Sequence, residues 1–557
     1  MNSIEALKAS LVKMGFKGDV DSSKETISSR SHDASLLEVV PKLVLFPRNA
    51  EDVKIAVRAI AENKSKYPDL SLSARAAGTC MSGGSLTESV ILDVSKYMQG
   101  TLSISENDAR ILPGTFYRDF EPKADALGVM LPCFPASKKL CAFGGMIANN
   151  CAGEKTLRWG KMEDYVLELK MVFADGNEYV VKPLSKSELD VKMAQNDFEG
   201  GLYRDLFDIV SKNQKLLADA KPKVSKNSAG YYLWNVWDPF DNSRAGGTFD
   251  LTRLIVGAQG TLGIMTEARV KLVKKELISR LFVIFLPELS RLGDIVNDLL
   301  KLKPETLESY DDSTMNLAVR FLPSMIQNMK LWNFIRLALR FIPEALMVLR
   351  GGMPKLVLLV EFSGNDEKEV MEKITETERI MKPYGYHTRR ATPGFDTDKY
   401  WTVRRESFSL LRKHVTGRRT APFVDDVIVP PSRMPEFLPQ MRTILDEHKL
   451  LYTIAGHAGN GNFHIIPLMD MHDKKNIDAI DAVSDKVYDL VVKMGGSITA
   501  EHNDGIVRTP YLKKMFSPDI IALFEKTKNL FDSAHILNPG KKVGGTKEYM
   551  IAHLARE

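Results

Sequence analysis

The chain is poor in cysteine. Four residues of this type, Cys80, Cys133, Cys141 and Cys151, are scattered through 557 positions, and no two form a C-x-x-C pair. Neither a thiolate zinc site nor a cysteine-ligated iron–sulfur cluster is therefore expected within it. Such sparse use suits a reducing compartment. The start, Met1-Asn2-Ser3-Ile4-Glu5-Ala6-Leu7-Lys8, lacks the apolar core of a signal peptide. Leu331 to Pro343 is apolar but carries Arg336 and Arg340 and ends at Pro343, which excludes a bilayer span. Net charge is only +5, and no long Lys/Arg run exists, so nucleic acid is not an expected partner. A cytoplasmic location is the expectation.

What is present reads as a soluble globular protein of two or three domains, with 44% hydrophobic and 26% charged residues over 557. A short helix (Ile4, Leu7, Leu11, Met14) and a polar linker, Gly18 to Ser35, come first. Val44 to Pro47 reads as a strand. Asn49 to Val53 opens a helix whose first turn is served by Asn49 or Glu51-Asp52. Leu70 to Arg75 reads as the next strand, and Val90 to Val94 as another.

Between those two strands runs Arg75-Ala76-Ala77-Gly78-Thr79-Cys80-Met81-Ser82-Gly83-Gly84-Ser85, nearly all small residues. Such a run lets successive backbone N–H groups turn inward as an anion cradle. Its glycine spacing matches neither the dinucleotide fingerprint nor a Walker loop. A glycine-rich surface turn has the same texture. A second stretch spans Phe143 to Gly153, behind Leu131 to Ser137, and a third spans Gly257 to Ile264. Each has an apolar segment beside it, Tyr165 to Ala174 and Leu251 to Val256 for the last two. Three such loops suggest several segments converging on one extended cofactor; three unrelated turns are the plain alternative.

After residue 275 the pattern changes. Arg280 to Pro287 is strand-like, Ser290 to Leu302 follows as a helix capped by Ser290, Leu356 to Phe362 is a strand, and Asp366 to Pro383 a helix. This βαβ-type alternation fits a cap domain. In the stretch 325–352, Arg336 and Arg340 share one helical face, with Phe334, Leu337, Ala338 and Phe341 on another. That is the pattern of an interfacial basic helix, or of a cap-domain core helix.

The most telling stretch is Gly456-His457-Ala458-Gly459-Asn460-Gly461-Asn462-Phe463-His464. Asn460-Gly461 suits a two-residue hairpin turn, since both central positions need positive φ. Counting outward, His457 would face His464. Opposed residues hold their Cβ atoms about 4.5–5.5 Å apart. Two imidazoles so placed reach one divalent metal at bond lengths of about 2.0–2.1 Å. Two loop histidines without a ligand would show the same spacing. Downstream, Glu501-His502 adds a third ligand and a spare base. Neighbours on a strand point to opposite faces, so this pair needs a bend, for which Asn503-Asp504-Gly505 is the candidate.

Together these motifs resemble the FAD-binding PCMH-type domain of the vanillyl-alcohol-oxidase superfamily, in its branch of D-2-hydroxyacid dehydrogenases. The resemblance spans roughly residues 35–545, with five motifs in the family's order. Arg75–Ser85 is similar to its pyrophosphate loop. Pro135, Ser137, Gly144, Gly145, Asn149, Asn150 and Gly153 fall in its second flavin segment. Gly260, Thr261, Gly263 and Ile264 fall in the third, with Gln259 where many relatives have Glu. Asn538-Pro539-Gly540-Lys541 resembles its C-terminal signature, with Asn538 near the flavin. Ala500 to Gly505 is most similar to large relatives fused to an iron–sulfur module.

The resemblance implies an α+β fold. An N-terminal helix and linker (1–35) would precede a two-subdomain FAD-binding domain (36–275). An α/β cap or substrate domain (276–500) would follow, with a membrane-contacting insertion near 325–352, and then a C-terminal segment (501–557) returning to the flavin. It implies FAD, held noncovalently because the pyrophosphate loop has no histidine to tether it; Cys80 and Cys151 are then small buried fillers. It implies one divalent metal, zinc, manganese or iron, on His457, His464 and Glu501, with His502 as general base. Arg404, three residues after Trp401, matches the arginine that grips the substrate carboxylate. Relatives that take a dicarboxylate have a lysine just before Asp425-Asp426; Phe423 and Val424 stand here instead. The implied activity is oxidation of a D-lactate-like 2-hydroxy acid, with electrons passed to a quinone, cytochrome or iron–sulfur partner rather than NAD. Peripheral contact with the inner face of the cytoplasmic membrane is a separate expectation, resting on the amphipathic stretch 325–352. The alternatives are an electron-transfer subunit of a larger complex and a non-redox flavoprotein of this fold. The latter, as in alkyl-glycerone-phosphate synthase, needs a run of consecutive histidines that this chain lacks.

Overall fold

A computed structural model describes residues 2–240, 247–315, 348, 352–414 and 417–556. The first subdomain is built on a four-stranded sheet in the order Asp19–Asp21, Leu43–Phe46, Val90–Asp93, Leu72–Arg75. The last three strands are parallel and the first is antiparallel. Leu43–Phe46 and Val90–Asp93 are buried throughout, as continuous apolar strands of a sheet covered on both faces are. Helix Ala50–Lys64 carries the chain across. Asn49 caps it by accepting from the Asp52 N–H, and its apolar face buries Val53, Ile55, Val57 and Ile60. Helix Ser3–Lys13 packs on it through Leu7 and Leu11.

The segment expected as a polar linker is structured. Asp19–Asp21 is the sheet's edge strand and Lys24–Arg30 a helix, anchored by the Arg30 Nε donating to Asp93 at 2.9 Å. At this edge Val20 faces outward, while Asp19 accepts from Lys96 and Tyr97 and Asp21 accepts from Thr26, so the strand shows no apolar period.

The second subdomain holds a five-stranded antiparallel sheet in the order Thr101–Ile104, Asp108–Ile111, Ile264–Lys271, Val166–Val172, Glu178–Val181. Ile264–Lys271 alternates buried and part-exposed residues, the mark of a strand with one packed face.

The third unit is an eight-stranded sheet in the order His387–Arg390, Ile278–Leu286, Leu356–Gly364, Thr306–Asp311, Leu451–His457, Asn462–Met469, Arg419–Thr420, with Val427–Ile428 also paired to Asn462–Met469. Helices Leu292–Leu300 and Glu367–Met381 join strands as the alternation predicts. Every pairing is nevertheless antiparallel, because Leu356–Gly364 lies between Ile278–Leu286 and Thr306–Asp311 and splits the βαβ unit. Ser290 does not cap its helix. The helix begins at Leu292 with Arg291 at the cap position, and Arg291 pairs instead with Asp294 of the first turn at 2.9 Å. Apart from residues 348 and 352, the stretch 325–352 lies outside the described residues.

The C-terminal segment returns to the first subdomain. Leu537 bridges to Leu72, Leu554 bridges to Leu37, and the Asn538 N–H donates to the Leu72 carbonyl at 2.9 Å.

Candidate active site

The hairpin forms, but with a longer loop than expected. Ala458–Asn460 makes one tight turn and Gly461 follows at φ +73°. Only glycine fits there, since a Cβ would sit 1.9 Å from the Val429 carbonyl oxygen. The register places His457 opposite Asn462 and His464 opposite Ala455, so the histidines are diagonal neighbours, not opposed ones. The shift is even, and side chains alternate with period two, so both rings keep the same face. Their centroids lie 5.2 Å apart.

Glu501 and His502 arrive from another segment. The bend at 500–502 that brings both to one place is gathered by Asp426, and Asn503 at φ +70° and Gly505 at φ +52° carry the turn onward. Asp426 Oδ2 accepts from the N–H groups of Ala500 (2.9 Å), Glu501 (2.8 Å) and His502 (2.7 Å), and from Thr499 Oγ1 (2.7 Å). Three consecutive N–H groups aimed at one oxygen curl the loop around it. Asp426 itself sits at φ +69°.

The result is a buried cluster around one carboxylate oxygen. Glu501 Oε1 lies 3.2 Å from His457 Nε2, 3.4 Å from His464 Nε2 and 3.9 Å from His502 Nε2. A second set of carboxylates orients the rings from behind. Asp425 meets His464 Nδ1 at 3.1 Å and His502 Nδ1 at 2.6 Å, and Glu308 meets His457 Nδ1 at 2.5 Å. Burial alone would raise the Asp425 pKa, but His502 and His464 hold it far below the usual carboxylate range. Glu308 is likewise held low, by His457 and Arg404 against its burial. Ionised carboxylates only accept, so each Nδ1 carries the proton and each Nε2 faces the centre. This is the arrangement that fixes tautomer and ring angle in metal-binding histidines. Burial would lower the His464 pKa, yet Asp425 and Glu501 push it up to about 10. His502 is raised by Asp425 and Asp426 against the same burial.

Ligand-capable atoms of Asp426, His464, Glu501 and His502 all lie within 4.8 Å of one another. Asp426 Oδ2 holds the loop and its Oδ1 accepts from Asn462 Nδ2 at 3.1 Å, whereas His457 Nε2 is the nitrogen nearest Glu501 Oε1. The donor set that fits a divalent metal is therefore imidazole nitrogen plus one Glu501 oxygen, which suits zinc, manganese or iron.

Two participants were not apparent from the sequence. Lys226, fully buried, meets Glu501 Oε2 at 2.9 Å. Its segment is wedged between hairpin and loop: Asn460 donates to Ser225 Oγ at 2.9 Å and Ser228 Oγ donates to the Ala500 carbonyl at 2.9 Å. Nothing in Ser-Lys-Asn-Ser marks it. The other is Glu308, in a strand whose six residues Thr306–Asp311 are all buried. An acid inside an otherwise strand-like run was the available signal. Arg404, on helix Phe395–His414, pairs with Glu308 Oε2 at 2.9 Å and stands beside the cluster through it. Arg405 pairs with Glu154 at 2.6 Å.

The three glycine loops do converge. They wall a cleft, partly open to solvent, to which Arg75, Ala76, Ala77, Gly78, Thr79, Cys80, Gly84, Ser85, Gly144, Gly145, Asn149, Gly260, Gly263 and Ile264 contribute. Ser85 Oγ is buried on this wall with no partner, and a Cβ added at Gly145 would meet nothing within 4 Å. A wall of small residues with a spare hydroxyl fits an extended dinucleotide cofactor.

Met81, Ser82, Gly83, Pro135, Ser137, Asn150, Gly153, Thr261 and Asn538 are not on the wall. Several hold it from behind. Asn538 Nδ2 donates to the carbonyls of Gly84 (2.8 Å) and Gln259 (2.7 Å). Thr261 Oγ1 bonds the Tyr231 hydroxyl at 2.6 Å, and Asn150 Oδ1 accepts from the Glu163 N–H at 3.0 Å. Ser82 Oγ donates to the His502 carbonyl at 3.1 Å, joining cleft to cluster. Gln259 makes a second joint: its Nε2 donates to Asn149 Oδ1 at 3.0 Å and its Oε1 accepts from the Gly505 N–H at 2.8 Å. A glutamate there could not make the first bond. Of the two cysteines read as buried fillers, Cys151 is buried, whereas Cys80 is part-exposed and lines the cleft.

Gly145→Leu tests the cleft directly. Gly145 lies in helix Phe143–Ala148 and faces open space, so the fold should tolerate the side chain, with a gain from helix propensity of under about 1 kcal/mol. Flavin should be lost. The checks are the flavin-to-protein absorbance ratio and the melting temperature of the flavin-free variant. Full flavin occupancy would mean the cleft is not the cofactor site.

Residues 41–182 match the family described as FAD binding domain, and residues 279–542 match FAD linked oxidases, C-terminal domain. The D-2-hydroxyglutarate dehydrogenase of Escherichia coli is 26% identical over 542 residues, covering 95% of this chain and 51% of that protein. This chain thus spans about half the length of such relatives. The D-lactate dehydrogenase of Archaeoglobus fulgidus is 26% identical over 503 residues, covering 90% of this chain and 91% of that one. Among solved structures, p-cresol methylhydroxylase with substrate bound superposes with a TM-score of 0.67 at 15% identity, over 98% of this chain and 96% of that one, a likeness of fold. Two subdomains around a glycine-walled cleft, under an antiparallel cap sheet, give the fold seen in p-cresol methylhydroxylase. The chain belongs to the FAD-linked oxidases.

Proposed function

We propose that the protein oxidises a D-lactate-like 2-hydroxy acid to the 2-oxo acid with noncovalently held FAD and one divalent metal. Electrons would pass to a quinone, cytochrome or iron–sulfur partner. The observation that carries this reading is the convergence of three imidazole Nε2 atoms on Glu501 Oε1, in a loop tied to the cleft by Ser82 and Gln259.

When bound, FAD supplies the two-electron acceptor for hydride from the substrate C2. When bound on His457, His464 and Glu501, a divalent metal supplies Lewis acidity that lowers the pKa of the substrate hydroxyl. The protein does the rest. In its neutral form His502 takes the hydroxyl proton at Nε2, and Asp425 and Asp426, which raise its pKa, make that form a stronger base. His502 is the most exposed of the three rings, at 21%, and the farthest from Glu501 Oε1. Asp425, behind its Nδ1, stabilises the imidazolium that forms. Arg404 orients the substrate carboxylate. Hydride and proton leave together, so C2–H and O–H break as C=O forms. Phe423 and Val424 are fully buried and offer no cation for a second carboxylate, which favours a lactate-like acid over hydroxyglutarate.

No helix among the described residues is long and apolar enough to cross a membrane. Peripheral contact through residues near 325–352 remains part of the proposal.

The test is anaerobic. D-lactate, L-lactate, glycolate, D-2-hydroxyglutarate and longer D-2-hydroxy acids are added separately to the flavin-loaded protein. One D-acid should bleach the oxidised flavin band while its L-enantiomer does not, and chelation should slow the bleaching. Acid precipitation should release the flavin. Bound flavin that no acid reduces, with metal supplied, would favour an electron-transfer subunit instead.

A further inference from the structure

One carboxylate touches both ends of the proposed site. Glu308 is 2% exposed and lies on Thr306–Asp311, an interior strand of the cap sheet. Its Oε1 is 2.5 Å from His457 Nδ1, and its Oε2 is 2.9 Å from the Arg404 guanidinium and 3.0 Å from Arg404 Nε. The ladder brings the two segments together: Ser309 pairs with Gly456, and the next residues outward, Glu308 and His457, meet through their side chains. Arg404 comes from a helix of a different part of the chain, so the second contact is a tertiary one.

We propose that Glu308 is a positioning residue that couples the substrate-carboxylate anchor to the metal ligand. One oxygen fixes the tautomer and ring angle of His457; the other fixes the guanidinium of Arg404. This rests on the reading of His457 as ligand and Arg404 as anchor. An ion pair serving stability alone would need only Arg404, and would not spend its second oxygen on a ring whose far nitrogen faces Glu501. The chemistry requires a carboxylate. A glutamine amide could accept the His457 Nδ1 proton through its oxygen, but its NH2 would then be turned toward Arg404, donor against donor. One of the two contacts must fail. Because both contacts share one side chain, ordering Arg404 on a substrate carboxylate also restrains His457, and the converse holds.

The experiment compares wild type, Glu308→Gln, Glu308→Asp and Arg404→Lys as flavin-loaded full-length proteins. Manganese(II) and zinc(II) affinities are titrated directly, metal per folded chain is read by elemental analysis, and KM and kcat are measured for the D-acid that bleaches the wild type. Glu308→Gln should weaken metal binding by about 10–100-fold, the usual effect of losing a partner behind a ligand. It should also raise KM, with flavin content unchanged. Glu308→Asp should recover part of both. Arg404→Lys should raise KM while changing metal affinity far less. Wild-type metal affinity and KM in a folded Glu308→Gln, whatever its melting temperature, would overturn the coupling. Should Glu308→Gln fail to fold, Glu308→Asp decides by the same two readouts. A wild type that binds neither metal would instead sink the metal reading itself, and the coupling with it.

Discussion

Replacing Glu501 with glutamine is expected to abolish oxidation of the D-acid and to reduce bound metal to background. The substitution keeps the side chain's size and removes its charge. The three Nε2 atoms at 3.2, 3.4 and 3.9 Å then face a neutral amide. Stability should fall as well. Lys226, fully buried, pairs with Glu501 Oε2, and stripping one partner from a buried pair costs about 3–5 kcal/mol. The two effects are separable. In the double variant Lys226→Met, Glu501→Gln, no unpaired charge remains, so most of the stability should return while metal binding and turnover do not. Thermal unfolding, elemental analysis and flavin bleaching check the three statements. A double variant that recovered turnover would show that Glu501 serves only to neutralise Lys226.

His502→Gln should lower the rate of flavin reduction by about 10²–10⁴-fold, the usual worth of a positioned general base. Flavin content should be unchanged and metal content close to that of the wild type. His502 Nε2 is the farthest of the three from Glu501 Oε1, at 3.9 Å, and its ring is the most exposed. His464→Gln makes the contrast. His464 is 13% exposed and closer to Glu501, so it should lose metal together with rate. Stopped-flow reduction alongside metal analysis separates base from ligand. A fast, metal-poor His502→Gln would reassign it as a ligand, and a fast, metal-replete one would remove it from the chemistry.

Much of the cleft was legible as sequence because its parts are local. Each glycine loop is short and borders regular structure, and the small residues that form the wall are contiguous. The loops' supports were harder to separate from the wall. Ser82, Thr261 and Asn538 sit inside or beside the same motifs, yet their side chains reach the His502 carbonyl, the Tyr231 hydroxyl and the Gly84 carbonyl of other segments. The edge strand Asp19–Asp21 was hidden for a different reason: with water on one side, it needed no apolar pattern.

The sequence by itself determined which groups are available to do chemistry, and one geometric fact. His457 and His464 lie on the two arms of one hairpin, so any even register leaves them on one face, and the two-step shift did no harm. Only the tertiary structure decided what stands behind them. Lys226 meets Glu501 across 275 residues of chain, Glu308 meets His457 across 149, and Asp426 gathers the Glu501 N–H across 75. A buried charge is tolerated only beside a partner, and at such separations the partner is chosen by how the sheets and loops pack rather than by any spacing along the chain.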